Sequence, residues 1–267
     1  MSRNTAFTNP PATWDLLPRT TSVTIACAVV LNLLCLAGCI QDSPPPSKER
    51  AVSLLLELLH DERPEMRRTA AESLGKIGGR GSIDSIFPLV QDPDEAVRQA
   101  SVTAMGRLRP SATDAIVALL AQALGDPVES VRQAAVVAIG EIEPAPRVLD
   151  PIVGLLRSSN AATRKAAVRA LLQIDSSQSV SSLIAAGQDS DPDVRQGIVA
   201  AVGEWGGVAV SSWLRERLAN DSSPGVRTEA AYRLGMRSDV EAKAALDRAV
   251  VMDADSGVRN WAKRGGL

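Results

Sequence analysis

From about residue 48 onward, apolar residues recur at the spacing of one face of a 3.6-residue helix, and an arginine marks the phase of each recurrence. Arg67, Arg98, Arg132, Arg164, Arg195, Arg227 and Arg259 follow one another at intervals of 31, 34, 32, 31, 32 and 32 residues. Counted from each arginine, apolar or small residues occupy positions −1, +3, +4 and +7, as in Val97, Ser101, Val102 and Met105. These positions share one helical face, and we term the element helix B. Thr163 at −1 and Ile198 at +3 depart from the rule. At +8 stands Gly75, Gly106, Gly140, Gly203 or Gly235. Glycine, lacking Cβ, suits the left-handed C′ position, so helix B is expected to stop there.

Six residues before the arginine comes Asp61, Asp92, Asp126, Asp189, Asp221 or Asp253, with Ser158 in the remaining unit. Upstream of each lies a second amphipathic stretch, helix A, predicted over 51–59, 83–90, 115–124, 148–156, 180–186, 208–218 and 240–251. Between A and B, segments such as Asp92-Pro93-Asp94 and Asp191-Pro192-Asp193 break one helix and start the next. Each unit therefore reads as a helical hairpin. One hairpin cannot bury both of its apolar stripes, so neighbours must stack into a continuous core. The predicted fold is all-α, a solenoid of about seven hairpins over residues 48–267. At helix spacings of ~8–10 Å it forms a curved rod roughly 60–70 Å long.

Units of the form D-x-x-x-x-V-R-x-x-A-x-x-x-L-G, such as residues 126–140, resemble the HEAT-repeat family, and specifically its short phycobilisome-lyase-like subtype. The resemblance covers roughly residues 50–267. It implies that the A helices form an outer convex wall and the B helices line the concave side. For function it is weak, because these repeats serve many roles. The fourth unit departs, with Ser158, Thr163 and Leu172 where Asp, Val and Gly are expected, and a local irregularity of the superhelix is predicted there.

Seven arginines in register suit either a basic stripe for phosphate or a structural ladder, in which each guanidinium bonds loop carboxylates or carbonyls. The aspartate beside nearly every arginine decides for the ladder, since a phosphate stripe would not carry it. Function is then expected on less regular positions of helix B. Positions +1, +5 and +9 point away from the apolar face, and the partner-binding candidates there are Arg68, Arg107, Gln133, Glu141, Lys165, Arg169, Glu204 and Tyr232. The stripe is mixed in sign, and a merely solvated surface is the plain reading of most of it. Trp205, Trp213 and Trp261 fall in the last three units and are expected to be core or end-capping residues. The last hairpin is expected to fray or to stack on something else.

The amino-terminal region reads differently. Ser22 to Gly38 is an uncharged apolar run that follows Arg19 and ends at Cys39. The run Leu36-Ala37-Gly38-Cys39 matches the lipobox of bacterial lipoproteins, in which the cysteine is lipidated and becomes the mature terminus. The expected organisation is a signal peptide over 1–38, then Cys39 and a stiff linker with Pro44-Pro45-Pro46 over 39–47, then the array. An uncleaved span is the plainer alternative, and either way the chain is tethered to a membrane. Ile40 after the cysteine points toward the outer membrane. Residues 1–21, with Asp15 and three prolines, make an unusually long leader.

All three cysteines, Cys27, Cys35 and Cys39, lie in this segment, so the mature chain is expected to keep only the lipidated one. Removal of residues 1–38 takes Arg3, Arg19 and Asp15 and leaves 27 basic and 30 acidic residues, a net charge of −3. Nucleic acid is therefore a poor partner, since phosphate contacts need a basic surface. The only histidine is His60, so no His or Cys metal site is expected. Deoxyhypusine-hydroxylase-like repeat enzymes carry several His-Glu pairs, and this chain has none. No phosphate-binding or nucleophile motif is present. No cofactor is expected. The leading expectation is a non-enzymatic, lipid-anchored scaffold in the bacterial cell envelope that binds an exported protein or peptide. A lyase-like or enzyme-accessory role, implied by the repeat subtype, and a structural envelope spacer remain as alternatives.

Overall fold

Polar caps and prolines start the helices where the apolar periodicity begins. In the computed structural model, residues 47–110, 113–142, 146–174, 176–237 and 239–265 are described. The expected signal peptide, Cys39 with its expected lipidation, and nearly all of the expected linker lie outside them. The helices are α1 (Lys48–Leu58), α2 (Pro64–Ile77), α3 (Ile83–Ile86), α4 (Glu95–Leu108), α5 (Asp114–Leu124), α6 (Glu129–Glu141) and α7 (Pro146–Leu155). They continue with α8 (Ala161–Ile174), α9 (Ser177–Ala185), α10 (Pro192–Gly203), α11 (Val208–Asn220), α12 (Pro224–Gly235), α13 (Val240–Met252) and α14 (Ser256–Gly265). Odd numbers are A helices and even numbers B helices. No strand occurs among the described residues.

The caps follow from residue type. Asp94 Oδ1 accepts from Ala96 and Val97 N–H at the start of α4, and Asp191 does the same for α10. Proline holds the first turn of α2, α10 and α12, where its missing N–H has no role to play. The second A element is broken into a 3₁₀ turn (Arg80–Ser82), the short α3, and a second 3₁₀ turn (Phe87–Gln91). The cause is Pro88, which removes an i→i−4 donor from the middle of the predicted helix. Its apolar residues Ile83, Ile86, Leu89 and Val90 are buried nonetheless.

Each A helix packs on its own B helix, and successive B helices pack on one another, giving one continuous core from Ala51 to Ala262. B helices meet over more of their length than A helices do. The contact between α8 and α10 is the least extensive of the B series. The last hairpin is formed, with α14 helical through Gly265 and packed on α12 and α13.

The +8 glycines do not end their helices in a left-handed turn. Gly75, Gly106 and Gly140 lie inside α2, α4 and α6, Gly203 and Gly235 are the last residues of α10 and α12, and the only positive-φ residues among those described are Arg109 and Gly207. Their absent side chain serves packing instead. A Cβ on Gly75 would lie 2.8 Å from Cα of Ala104, one on Gly106 2.8 Å from Cα of Ala138, and one on Gly235 2.6 Å from Cα of Gly265. At these three glycines the next B helix touches backbone, whereas Gly140 and Gly203 face the side chains of Gln173 and Arg233. Leu172 holds this place in α8, so the loose α8–α10 contact has a cause in the sequence.

Gly106→Ala is accordingly expected to lower unfolding free energy by about 1–3 kcal/mol, the cost of overpacking a close contact. Gly79→Ala, where nothing lies within 4 Å, serves as the comparison and should change it little. Urea unfolding followed by circular dichroism measures both.

Candidate partner-binding groove

The A-to-B turns set up the polar geometry. Asp92 Oδ1 accepts from the N–H of Asp94 at 2.9 Å, and Asp61, Asp126, Asp189, Asp221 and Asp253 bond the residue two places on in the same way. This shapes each turn. The arginine of the same unit then closes the turn from inside. Nη1 of Arg98 donates to the carbonyls of Asp92 and Pro93, and the other six arginines repeat this.

The remaining edge of the fork reaches the next repeat. Nε and Nη2 of Arg67, Arg98, Arg164, Arg195 and Arg227 hold both carboxylate oxygens of Asp92, Asp126, Asp189, Asp221 and Asp253 at 2.7–3.1 Å. A planar fork against a planar carboxylate gives two parallel bonds, the strong form of such a pair. Asp61 has no ladder arginine before it among the described residues, and Arg63 of its own turn takes the place at 2.9 Å, lowering its carboxyl pKa to about 2.

Burial pushes the carboxyls of Asp92, Asp126, Asp189 and Asp221 upward, but the fork and the turn N–H outweigh it and hold them below the usual range. At Asp253 the Arg227 fork is the leading cause of the same lowering. The most enclosed of these side chains is Asp221, 2 % exposed, which also faces Arg217 at 3.6 Å.

One rung is broken. Ser158 keeps the turn, its Oγ accepting from the N–H of Asn160 at 3.2 Å, yet it has no charge for Arg132. Arg132 turns its free edge to Glu129 on its own helix. Glu129 also accepts from Arg169 of α8 and from Gln133, both at 3.1 Å. Burial raises the Glu129 carboxyl, and these hydrogen bonds from Arg132, Gln133 and Arg169 bring it below the usual range.

Around this irregularity the B face opens into a groove of 610 Å³, the scale of ligand pockets. Its polar lining is Glu129, Arg132, Lys165, Arg169, Glu204 and Arg233, over a floor of small and apolar residues from α8 and α10. Arg233 pairs with Glu204 and with Glu229. Lys165 lies 3.5 Å from Asp193.

The predicted candidates divide accordingly. Lys165, Arg169 and Glu204 line this groove, and Gln133 lies on its rim through Glu129. Arg68 and Arg107 line a separate shallow groove of 300 Å³ between α2 and α4, where Arg68 faces Glu72 at 3.7 Å. Glu141 accepts from Arg109 at 2.7 Å. Tyr232 is 39 % exposed and meets Trp261 edge-on at 5.5 Å. Trp205 and Trp213 pack partly buried against the core, with Arg217 over the Trp213 ring, while Trp261 is half-exposed on the last B helix with Arg264 over it.

Glu129, Arg132 and Arg233 were not among the predicted groove residues. Arg132 was assigned to the ladder, and Arg233 stands at +6, where the other units have Ser73, Ala104, Ala138, Ala170, Ala201 and Gly265. That outlier was visible in the repeat alignment. Glu129 carries no such mark. Among the described residues no group of three His, Cys, Asp or Glu is placed to hold a metal, and no helix is long and apolar enough to cross a membrane. His60 is exposed at the end of α1, its N–H on the carbonyl of Glu57.

The family model for HEAT repeats matches residues 52–121, 116–203 and 181–265, so the chain belongs to the HEAT-repeat family. Among solved structures it resembles YibA of Escherichia coli at 18% identity and a TM-score of 0.51, covering 85% of this chain and 89% of that one. It is also similar to an archaeal HEAT-like repeats protein from Thermococcus onnurineus NA1, at 15% identity and a TM-score of 0.45, covering 94% and 97%. A third is the complex of CpcE and CpcF of phycocyanin lyase from Nostoc sp. PCC7120, at 18% identity and a TM-score of 0.41, covering 84% and 88%. At these identities the likeness is one of fold. No curated protein matches the sequence.

Two outcomes test the ladder. Arg195→Ala should lower unfolding free energy by about 1–3 kcal/mol, because it takes both fork hydrogen bonds from the buried carboxylate of Asp221 and leaves it Arg217 at 3.6 Å and its turn N–H, while Arg259→Ala, which among the described residues bonds only its own turn's carbonyls, should lose under about 1 kcal/mol. Equal losses in urea unfolding would remove the cross-repeat carboxylate from the account. The rung aspartates have lowered folded pKa values, so the stability they confer is complete above the unfolded value of ~4 and is lost as pH falls through the folded values. Thermal midpoints should thus fall steeply below about pH 4, less so in Asp221→Asn.

Proposed function

We propose that this HEAT-repeat protein is a lipid-anchored, non-enzymatic scaffold of the bacterial cell envelope that binds an exported protein or peptide along its B-helix face. The observation that carries the binding half is the groove at the fourth and fifth repeats. It coincides with the place where the repeat departs from its own rule, and it combines a small-residue floor with convergent charged groups. Concave clefts of this size in which polar groups converge over an apolar floor favour ligand binding. The anchoring half rests on the sequence alone, through the apolar run and the Leu36-Ala37-Gly38-Cys39 box.

A photo-crosslinking residue placed at Gln133 or Gln196, beside the groove, should capture a discrete partner in intact cells. The same residue at Asp150 on α7 or Ser181 on α9, exposed on A helices, should not. Capture of equal strength from both sides overturns the binding half. Metabolic labelling with a fatty acid should mark the wild-type chain and fail to mark Cys39→Ser; labelling of both overturns the anchor.

A further inference from the structure

An arginine at this place in the repeat has a defined ligand. In five of the seven repeats its Nε/Nη2 edge holds a carboxylate supplied from outside its own hairpin. Arg132 has the same backbone setting, with Nη1 fixed on the carbonyls of Asp126 and Pro127, and a side chain only 8 % exposed. Its fork is therefore pre-oriented for a carboxylate, and Ser158 brings none. Glu129 stands in. Unlike the rung aspartates, which are 2–10 % exposed, the Glu129 side chain is 45 % exposed. It hangs from three rotatable bonds, so it can leave the fork when an incoming carboxylate takes over its hydrogen bonds from Arg132 and Arg169.

The surroundings favour an incoming anion. With Glu129 swung out, Arg132 and Arg169 face the groove together, Lys165 stands on the same helix as Arg169, and Arg233 closes the far end beside Glu204. The floor of Ala162, Gly197, Ala200 and Ala201 lets a peptide backbone approach closely. We infer that the groove binds a carboxylate side chain of an extended acidic peptide segment, and that Glu129 is a built-in competitor that occupies the Arg132–Arg169 site in the free protein. This rests on the reading that the groove is a partner site, and it names the chemistry of the partner.

The probe is a fluorescein-labelled, N-acetylated and C-amidated nonapeptide of alanine with three glutamates at every third position. Its glutamine twin is the control, and glutarate supplies the same group without the chain. Each is titrated into the full chain held in detergent. Anisotropy should show the glutamate peptide binding at least tenfold more tightly than the twin, with affinity falling as salt rises. Glutarate should compete at least tenfold more weakly than the unlabelled peptide. Glu129→Gln should tighten peptide binding several-fold while lowering the thermal midpoint, because it removes the charge from Arg132's free edge, and Arg169→Ala, whose side chain is half-exposed, should weaken binding about tenfold with the thermal midpoint unchanged.

Equal binding of the two peptides, no binding of either, or unaltered affinity in Glu129→Gln overturns the inference. Glutarate competing as well as the peptide overturns the peptide half and leaves a small-molecule carboxylate site. Crosslinks at Gln133 without acidic-peptide binding remove this inference and spare the scaffold reading. Peptide binding without crosslinks does the reverse.

Discussion

One guanidinium joins three backbone segments, and the array depends on that junction. Each ladder arginine bonds two carbonyls of its own A-to-B turn and, in five repeats, the aspartate that shapes the next turn. That aspartate in turn receives its own backbone N–H. The stack therefore receives its register from a polar chain of fixed geometry, since the Ala-, Val- and Leu-rich faces alone would allow hairpins to slide past one another. Partial burial makes each rung stronger than a surface ion pair and would make a half rung costly.

The second constraint is distance. At Gly75, Gly106 and Gly235, a +8 glycine beside a small residue at +6 of the next helix brings B helices to backbone contact, while the A helices meet one another over less of their length. Both constraints fail in the same repeat. Ser158 leaves Arg132 without its outside carboxylate, and Leu172 puts a bulky side chain where glycine would let α10 close in. The groove is the geometrical consequence of these two substitutions taken together. In a solenoid each repeat touches only its neighbours, so such a defect stays local and the rest of the array is unaffected.

Much of this was legible in the sequence because it is periodic. Seven arginines in register fixed the hairpin count and the face of helix B, and the aspartate at −6 located the turns. The broken fourth unit was visible as well. What periodicity does not contain is the third dimension between repeats. The +8 glycine has two physical uses, a left-handed cap and a close approach, and only the position of the neighbouring helix separates them. The second A helix looked continuous because its apolar spacing is unbroken by Pro88, whose missing N–H affects hydrogen bonding and not burial. Glu129 was invisible because nothing in its position is irregular; it matters through what Ser158 fails to supply some thirty residues away.

A repeat protein has few ways to make one surface unlike the others without losing its stack. Changing an outward residue leaves the backbone as it was, and at Gln99 and Thr103 it leaves only the shallow groove between α2 and α4 that they line. Changing a residue that sets spacing opens a cleft, at a cost in packing that the neighbouring repeats must carry. Here the spacing residue and the rung residue change in one unit, and the arginine that loses its partner lies at the mouth of the cleft so produced. The arginine re-paired within its own helix and the open space therefore come from one departure. A destabilising defect that also presents a pre-oriented, nearly buried guanidinium is hard to account for as drift in the array. On the proposed reading, a bound carboxylate would displace Glu129 and give Arg132 from outside its hairpin the contact that Ser158 does not supply.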